Sequence, residues 1–186
     1  MSRRGAVRLG LAGAVVVLLA VGLALFQPWL LFIDEQVDED LPGGATSVET
    51  ASGGLEDPGD PAGGGGGQGG EDRGLVQLAA GDFVDAEHDT SGQALVLREA
   101  DGTRYVRLED LDTSNGPDLH VWLTDQTAGG SWFKYDDGAY VALGRLKANQ
   151  GSQNYEIPAH AELGGMRSVV IWCDRFNVAF GAAPIG

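Results

Sequence analysis

Residues 73–186 break into nine runs of four to seven residues, each apolar or alternating in character. They are 75–79, 82–88, 93–99, 104–108, 119–124, 140–146, 154–157, 168–173 and 176–180. Turn-forming residues stand between them: Gly81, Ser91-Gly92, Asp101-Gly102, Asn115-Gly116-Pro117, Gly129-Gly130, Asp136-Asp137-Gly138, Asn149 to Gly151 and Gly164-Gly165. Runs this short and evenly spaced do not sustain helices but suit strands. The expected fold is therefore all-β, an antiparallel β-sandwich with jelly-roll-like or barrel-like connections. Asp101-Gly102 is the clearest hairpin signal, because both residues tolerate positive φ. About 110 residues are enough for one independent core.

The stretch Ser168-Val-Val-Ile-Trp-Cys-Asp-Arg-Phe-Asn-Val-Ala-Phe-Gly181 reads as a strand, a sharp two-residue break at Asp174-Arg175, and a second strand. Period two puts Val169, Ile171 and Cys173 on one face and Val170 and Trp172 on the other. Both faces are apolar, so this strand is expected to be central and buried on both sides. In the run 118–124, Leu119, Val121 and Leu123 share one face, and Asp118, His120 and Trp122 the other.

Upstream, charge divides the chain. Residues 1–33 carry three arginines and no acid, residues 34–72 eleven acids and no base, and residues 73–186 nine bases and sixteen acids, which together give −15. Residues 1–8 read as a cytoplasmic N-terminus. Residues 9–33 hold no charged side chain, more than the roughly 20 residues that cross a hydrocarbon core. Arg3, Arg4 and Arg8 precede this run and Asp34-Glu35 follow it, which places the N-terminus inside and the remainder outside a cell membrane, as a single-pass protein. The run also exceeds the apolar part of an ordinary signal peptide, about 7–15 residues, and no small-x-small cleavage site follows it. Residues 34–72, acidic and rich in Gly and Pro, are expected to be a disordered linker spanning on the order of 35 Å. Residues 73–186 then form the extracytoplasmic domain.

Composition excludes several functions. An acidic domain without a basic stripe does not suit nucleic acid. One cysteine makes no intrachain disulfide. There is no Gly-x-Ser-x-Gly elbow, no spaced Ca²⁺ loop, and no Lys-Ser/Thr after the Gly-rich tract 63–70 to make it a phosphate loop. No catalytic constellation is complete, so the reading leans away from an enzyme.

The candidate site residues are Cys173, His88 and His120. A thiolate with imidazoles can bind haem, copper or zinc, but no short spacing joins these residues, so distant strands must assemble any such site. Arg175 is expected to lower the Cys173 pKa and Asp174 to oppose it. His160, in a loop after Pro158, is expected to be solvated.

Several stretches together resemble the DM-thirteen domain, an extracytoplasmic module described as electron transfer. They are Gly81-Asp-Phe-Val-Asp-Ala-Glu-His88 with Ser91-Gly92-Gln-Ala94, Gly116-Pro-Asp-Leu-His-Val-Trp-Leu123, and Leu143-Gly-Arg-Leu-Lys147 through Gly151-Ser-Gln-Asn-Tyr155 to Ile157-Pro158. The last is Ser168-Val-Val-Ile-Trp-Cys173 with Phe176-Asn-Val-Ala-Phe-Gly181. The likeness covers residues 75–186. It implies an all-β domain whose cysteine, matched by Cys173, takes part in redox chemistry as a bare thiol or as a ligand to haem or a metal. His88 matches the family's early histidine. Larger relatives add DOMON and cytochrome-b-type membrane domains, which this chain lacks.

Two functional expectations follow. One is a membrane-anchored domain exchanging electrons with another redox protein through Cys173. The other is a non-enzymatic binding module recognising a protein or polymer through the aromatic residues Trp122, Trp132, Phe133 and Tyr135, since aromatics are favoured at recognition surfaces.

Overall fold

The computed structural model describes the backbone of residues 3–26, 33–50 and 74–186. Residues 3–26 form helix α1 (Arg3–Phe26). Its described side chains are those of residues 13–24. Among the described residues, no helix is long and apolar enough to cross a membrane. The expected span 9–33 thus falls partly outside the described residues.

The rest is a sandwich of ten strands among the described residues: β1 (Val48–Thr50), β2 (Leu75–Asp82), β3 (Val84–Asp85), β4 (Thr90–Arg98), β5 (Arg104–Thr113), β6 (Leu119–Thr124), β7 (Tyr140–Arg145), β8 (Gln150–Ile157), β9 (Ser168–Cys173) and β10 (Val178–Pro184). One sheet has the order β1-β2-β4-β5-β8 and the other β3-β10-β9-β6-β7. Every pairing between them is antiparallel except that of β1 with β2. The fold is the expected sandwich.

The pleat explains the core. Val96, Val106 and Leu108 of the first sheet meet Val121, Leu123, Val169 and Ile171 of the second, all fully buried. Alternate residues face outward, yet several of those are buried too. Trp122, Val170 and Trp172 form a second cluster outside the second sheet. The connection between β6 and β7 closes it by laying Tyr135 edge-on to Trp172, with ring centroids 6.4 Å apart. Leu95 and Leu97 form a third cluster outside the first sheet, with Leu75.

That third cluster is covered by a segment expected to be free linker. Residues 34–50 are not a spacer: they form a strap across the first sheet, and Leu41, Ala45 and Val48 pack on the cluster. The strap enters beside β8, where Gln36 bridges Gln150 in parallel. The Val37 N–H donates to the Gln150 carbonyl at 3.1 Å and the Glu39 N–H to that of Ser152 at 2.8 Å. The Lys147 ammonium donates to both Glu39 carboxylate oxygens, at 2.7 and 2.9 Å. Arg107 is buried and paired with Glu109, and it donates to the Glu39 carbonyl at 2.9 Å. The expectation failed because the segment's mean composition hides a few well-spaced apolar residues and acids with fixed partners. Residues 51–73 lie outside the described residues.

Gly151 makes this docking possible. Its φ is +92°, and a Cβ there would lie 2.1 Å from the Val37 carbonyl oxygen. The Asp101-Gly102 hairpin forms where expected but differs in detail. Only Gly102 takes positive φ, at +91°, and the Gly102 N–H donates to the Glu99 carbonyl, as in a three-residue loop closed by glycine.

Gly151→Ala should expel the strap. Left-handed strain and the clash together should cost about 2 kcal/mol or more in urea denaturation. The Glu39 carboxyl adds a pH dependence. Partial burial works to raise its pKa, but the Lys147 and Asn154 hydrogen bonds and the Lys147 and Arg107 charges bring it below the ordinary value. A depressed carboxyl pKa stabilises above the unfolded value and is lost as pH falls through the folded one. Proteolysis within 34–50 should therefore accelerate on acidification, and Glu39→Ala should abolish that acceleration.

Candidate functional site

Cys173 is the last residue of β9. Its register partners are Leu119 on β6 and Val178 on β10, and its side chain joins the core between the sheets with no exposure. The sequence places it there because a strand apolar on both faces must be central. The turn that follows is longer than the expected two-residue break. It runs from Asp174 to Asn177, with Asn177 in the left-handed region at φ +54°, and β10 starts at Val178 rather than 176. The Asp174 N–H donates to the Asp118 carbonyl at 3.0 Å and ties this corner to the β5–β6 connection.

Burial raises the Cys173 pKa, and the Asp118 carboxylate raises it further. Backbone N–H groups of Phe176, Arg175 and Asp118 favour the thiolate and oppose that rise without overcoming it. Arg175 thus acts on the sulfur through its amide. The opposing carboxylate is that of Asp118, where Asp174 was expected. The enclosed sulfur is a thiol at neutral pH, but it has N–H donors ready for a thiolate. With no exposure it offers no open coordination position, so a haem or metal does not fit at Cys173 with this corner closed.

The two candidate histidines lie elsewhere. His120 is on β6 opposite Trp172, so it points outward while Cys173 points inward. A shared thiolate–imidazole site of these two is therefore not assembled. The His120 Nε2 lies 3.1 Å from Asp118 Oδ1 and 3.4 Å from Asp174 Oδ2. These three residues are the group whose donor atoms, within 4.8 Å of one another, suit a metal ion among the described residues. Arg145 already donates to Asp118 Oδ1 at 2.7 Å and supplies the balancing cation. His88, between β3 and β4, lays its ring on Phe180 at 4.0 Å between centroids, and its backbone N–H donates to the Phe180 carbonyl at 3.3 Å. His160 is exposed, as expected.

Asp118, Asp174 and Arg145 around His120 were not foreseen as a group. Asp118 and His120 share a strand face in the sequence, but Asp174 and Arg145 arrive only through the pairing of β9 and β7 with β6. The aromatic set divides: Trp122 and Tyr135 are buried, whereas Trp132 and Phe133 are exposed.

Cys173 should react slowly with iodoacetamide at neutral pH. Its rate should rise about tenfold per pH unit until pH passes the raised pKa, since only the thiolate attacks. Asp118→Asn removes a carboxylate that disfavours the thiolate, so the rate profile should shift to lower pH; a shift upward or none would contradict this assignment. The raised pKa also means that this group's contribution to stability is present below the unfolded thiol value and declines as pH rises through the folded one.

No curated protein matches this chain, and no solved structure does. The family described as "Electron transfer DM13" matches residues 82–185, from the end of β2 through β10 and including the Cys173 corner. The match covers more than half of the chain, and with it the two-sheet core and the enclosed cysteine fall into place: this chain belongs to the DM13 electron-transfer domain family.

Proposed function

We propose that this protein is a membrane-anchored, extracytoplasmic DM13 domain that takes part in redox or electron transfer, with Cys173 as its redox thiol. The observation that carries the reading is a lone thiol, in the family-matched segment, enclosed by protein yet surrounded by three backbone N–H donors. Enclosure protects it from casual oxidation, which follows thiolate character and exposure. The donors lower the cost of the thiolate while the 174–177 turn is closed, and that turn has to open for a partner to reach the sulfur. The anchor rests on the uncharged run 9–33 with arginines before it and acids after it.

The step open to a lone thiol is exchange with a partner protein's disulfide. Cys173 gives its proton to water, and the thiolate attacks one partner sulfur. The partner's S–S bond breaks, an S–S bond forms between the two chains, and the partner's other sulfur leaves as a thiolate.

The exposed Trp132 and Phe133 favour a second reading, a non-enzymatic binding module, in which the β6–β7 connection recognises a protein or polymer.

The full chain in membranes should resist alkaline carbonate extraction. A thiol reagent should modify it at Cys173 faster than global unfolding occurs, and oxidative capture should give a mixed disulfide that Cys173→Ser abolishes. Modification only at the rate of unfolding would overturn the redox reading. Release by carbonate would overturn the anchor. Binding to a partner that survives Cys173→Ser but is lost in Trp132→Ala would favour the second reading.

A further inference from the structure

The strap fixes where the domain must stand if residues 9–33 span the membrane. The inference rests on that part of the proposed function. Ile33, the last residue of the apolar run, already touches the sandwich: its carbonyl accepts from Asn115 Nδ2 at 3.2 Å. The next residues are held as firmly. Asp34 Oδ1 accepts from Asn149 Nδ2 at 2.9 Å, the Glu35 N–H donates to Asn149 Oδ1 at 2.7 Å, and the Gln150 N–H donates to the Glu35 carbonyl at 3.0 Å. No free spacer therefore lies between the end of the apolar run and the domain.

The Gly-rich tract cannot act as one either. It joins Thr50 to the start of β2, and β1 lies beside β2 with Val48 opposite Leu75 and Thr50 opposite Gln77. Two residues of strand and one interstrand spacing separate its ends, on the order of 10 Å. Residues 51–73, outside the described residues, connect these two paired ends in the sequence, and a parallel pairing needs such a connection.

The point of entry is one pole of the sandwich. Asn115 and Asp118 are three residues apart, and the Asp118 carbonyl holds the Asp174 N–H. The Cys173 corner thus lies on the order of 20 Å or less from Ile33 by chain reach. The starts of β4 and β8 and the end of β5 share this pole, because Thr90 pairs with Thr113 and Asp112 with Gln150. The β4–β5 hairpin at Ala100 is at the opposite pole, a nine-residue strand away, or about 30 Å.

The geometry points to a membrane-facing orientation: the strap holds the Cys173 pole of the domain toward the phospholipid headgroup surface and the β4–β5 hairpin away from it. A partner that reaches Cys173 is then borne by the same membrane. The strap lies outside the family-matched residues, so this placement is a property of this chain.

The test uses the full chain in phosphatidylcholine vesicles, with Cys173→Ala as background. An environment-sensitive fluorophore is attached at Asp89→Cys, just before β4, or at Ala100→Cys, just after it. Nitroxide on the lipid headgroups serves as quencher. The Asp89 label should be quenched several-fold more than the Ala100 label. Deleting residues 54–70 should leave that difference intact, whereas Gly151→Ala, or Glu39→Ala as a milder variant, should reduce it. Equal quenching of the two labels in protein that stays with the vesicles would overturn the orientation and leave the anchor standing. Protein that carbonate removes from the vesicles would overturn the anchor itself. A loss of the difference on deleting 54–70 would show that the tract, and not the strap, sets the position.

Discussion

Strand β9 carries apolar side chains on both faces, and a two-sheet sandwich buries only one of them between its sheets. Val169, Ile171 and Cys173 fill the interior, which leaves Val170 and Trp172 facing out. Fully burying a side chain as large as Trp172 is worth about 3 kcal/mol, so leaving it wet is not neutral. The β6–β7 connection answers by bringing Tyr135 over Trp172, while Trp122 stacks on it from β6 with ring centroids 5.0 Å apart. The first sheet meets the same constraint at Leu95 and Leu97 and solves it with the strap. Each sheet is thus a middle layer, covered inside by its partner and outside by a segment with little regular structure.

This layering sets the chemistry of the corner. Cys173 ends a strand with no exposed residue, so its sulfur is desolvated before any charge acts on it. The groups that act next come from the two connections at the same pole. The Arg175 and Phe176 amides belong to the β9–β10 turn, and the Asp118 amide and carboxylate to the β5–β6 connection. Because the Asp174 N–H bonds to the Asp118 carbonyl, opening the turn also disturbs the Asp118 side of the corner. The Asp118 carboxylate is engaged by Arg145 and His120 on the outer face. It therefore acts on the buried thiol through its charge and also belongs to a solvent-facing ion network.

The legible part of the fold was the part governed by period two. β6 and β9 fall on the residues that alternation marks, and the faces of both strands are as read. The sequence reading starts β8 only at 154, because Asn149 to Gly151 read as a turn, whereas the strand begins at Gln150. Gln153 is nonetheless fully buried: its amide donates to the Ala148 carbonyl at 2.7 Å and its Oε1 accepts from Tyr155 at 2.7 Å. A buried polar side chain with every partner supplied by nearby backbone and a tyrosine leaves no hydrophobic trace in the sequence. The strap escaped for a related reason, since its apolar residues are spaced for neither strand nor helix. Of the candidate site, the importance of the corner was readable. Its polarity was not, because the amides that face the sulfur depend on a turn longer by two residues and on a cross-strand neighbour.

The acids give the strap a physical purpose. Asp34, Asp85, Asp89 and Asp112 line an open cleft at the pole where the chain enters the sandwich. Beside an anionic leaflet such a surface is repelled, with a range near a Debye length of about 8 Å at physiological salt. A domain on a long free linker would then turn this pole away from the lipid. Hydrogen bonds between residues 33–35 and the side chains of Asn115 and Asn149 remove that freedom, because they hold within the fold what would otherwise be set by charge. If residues 9–33 span the membrane, the pole stays near it, with a layer of water and counterions between. In the proposed orientation such a layer would keep lipid tails from the Cys173 corner while leaving room for a loop of another membrane protein, as the proposed thiol exchange with a membrane-borne partner requires.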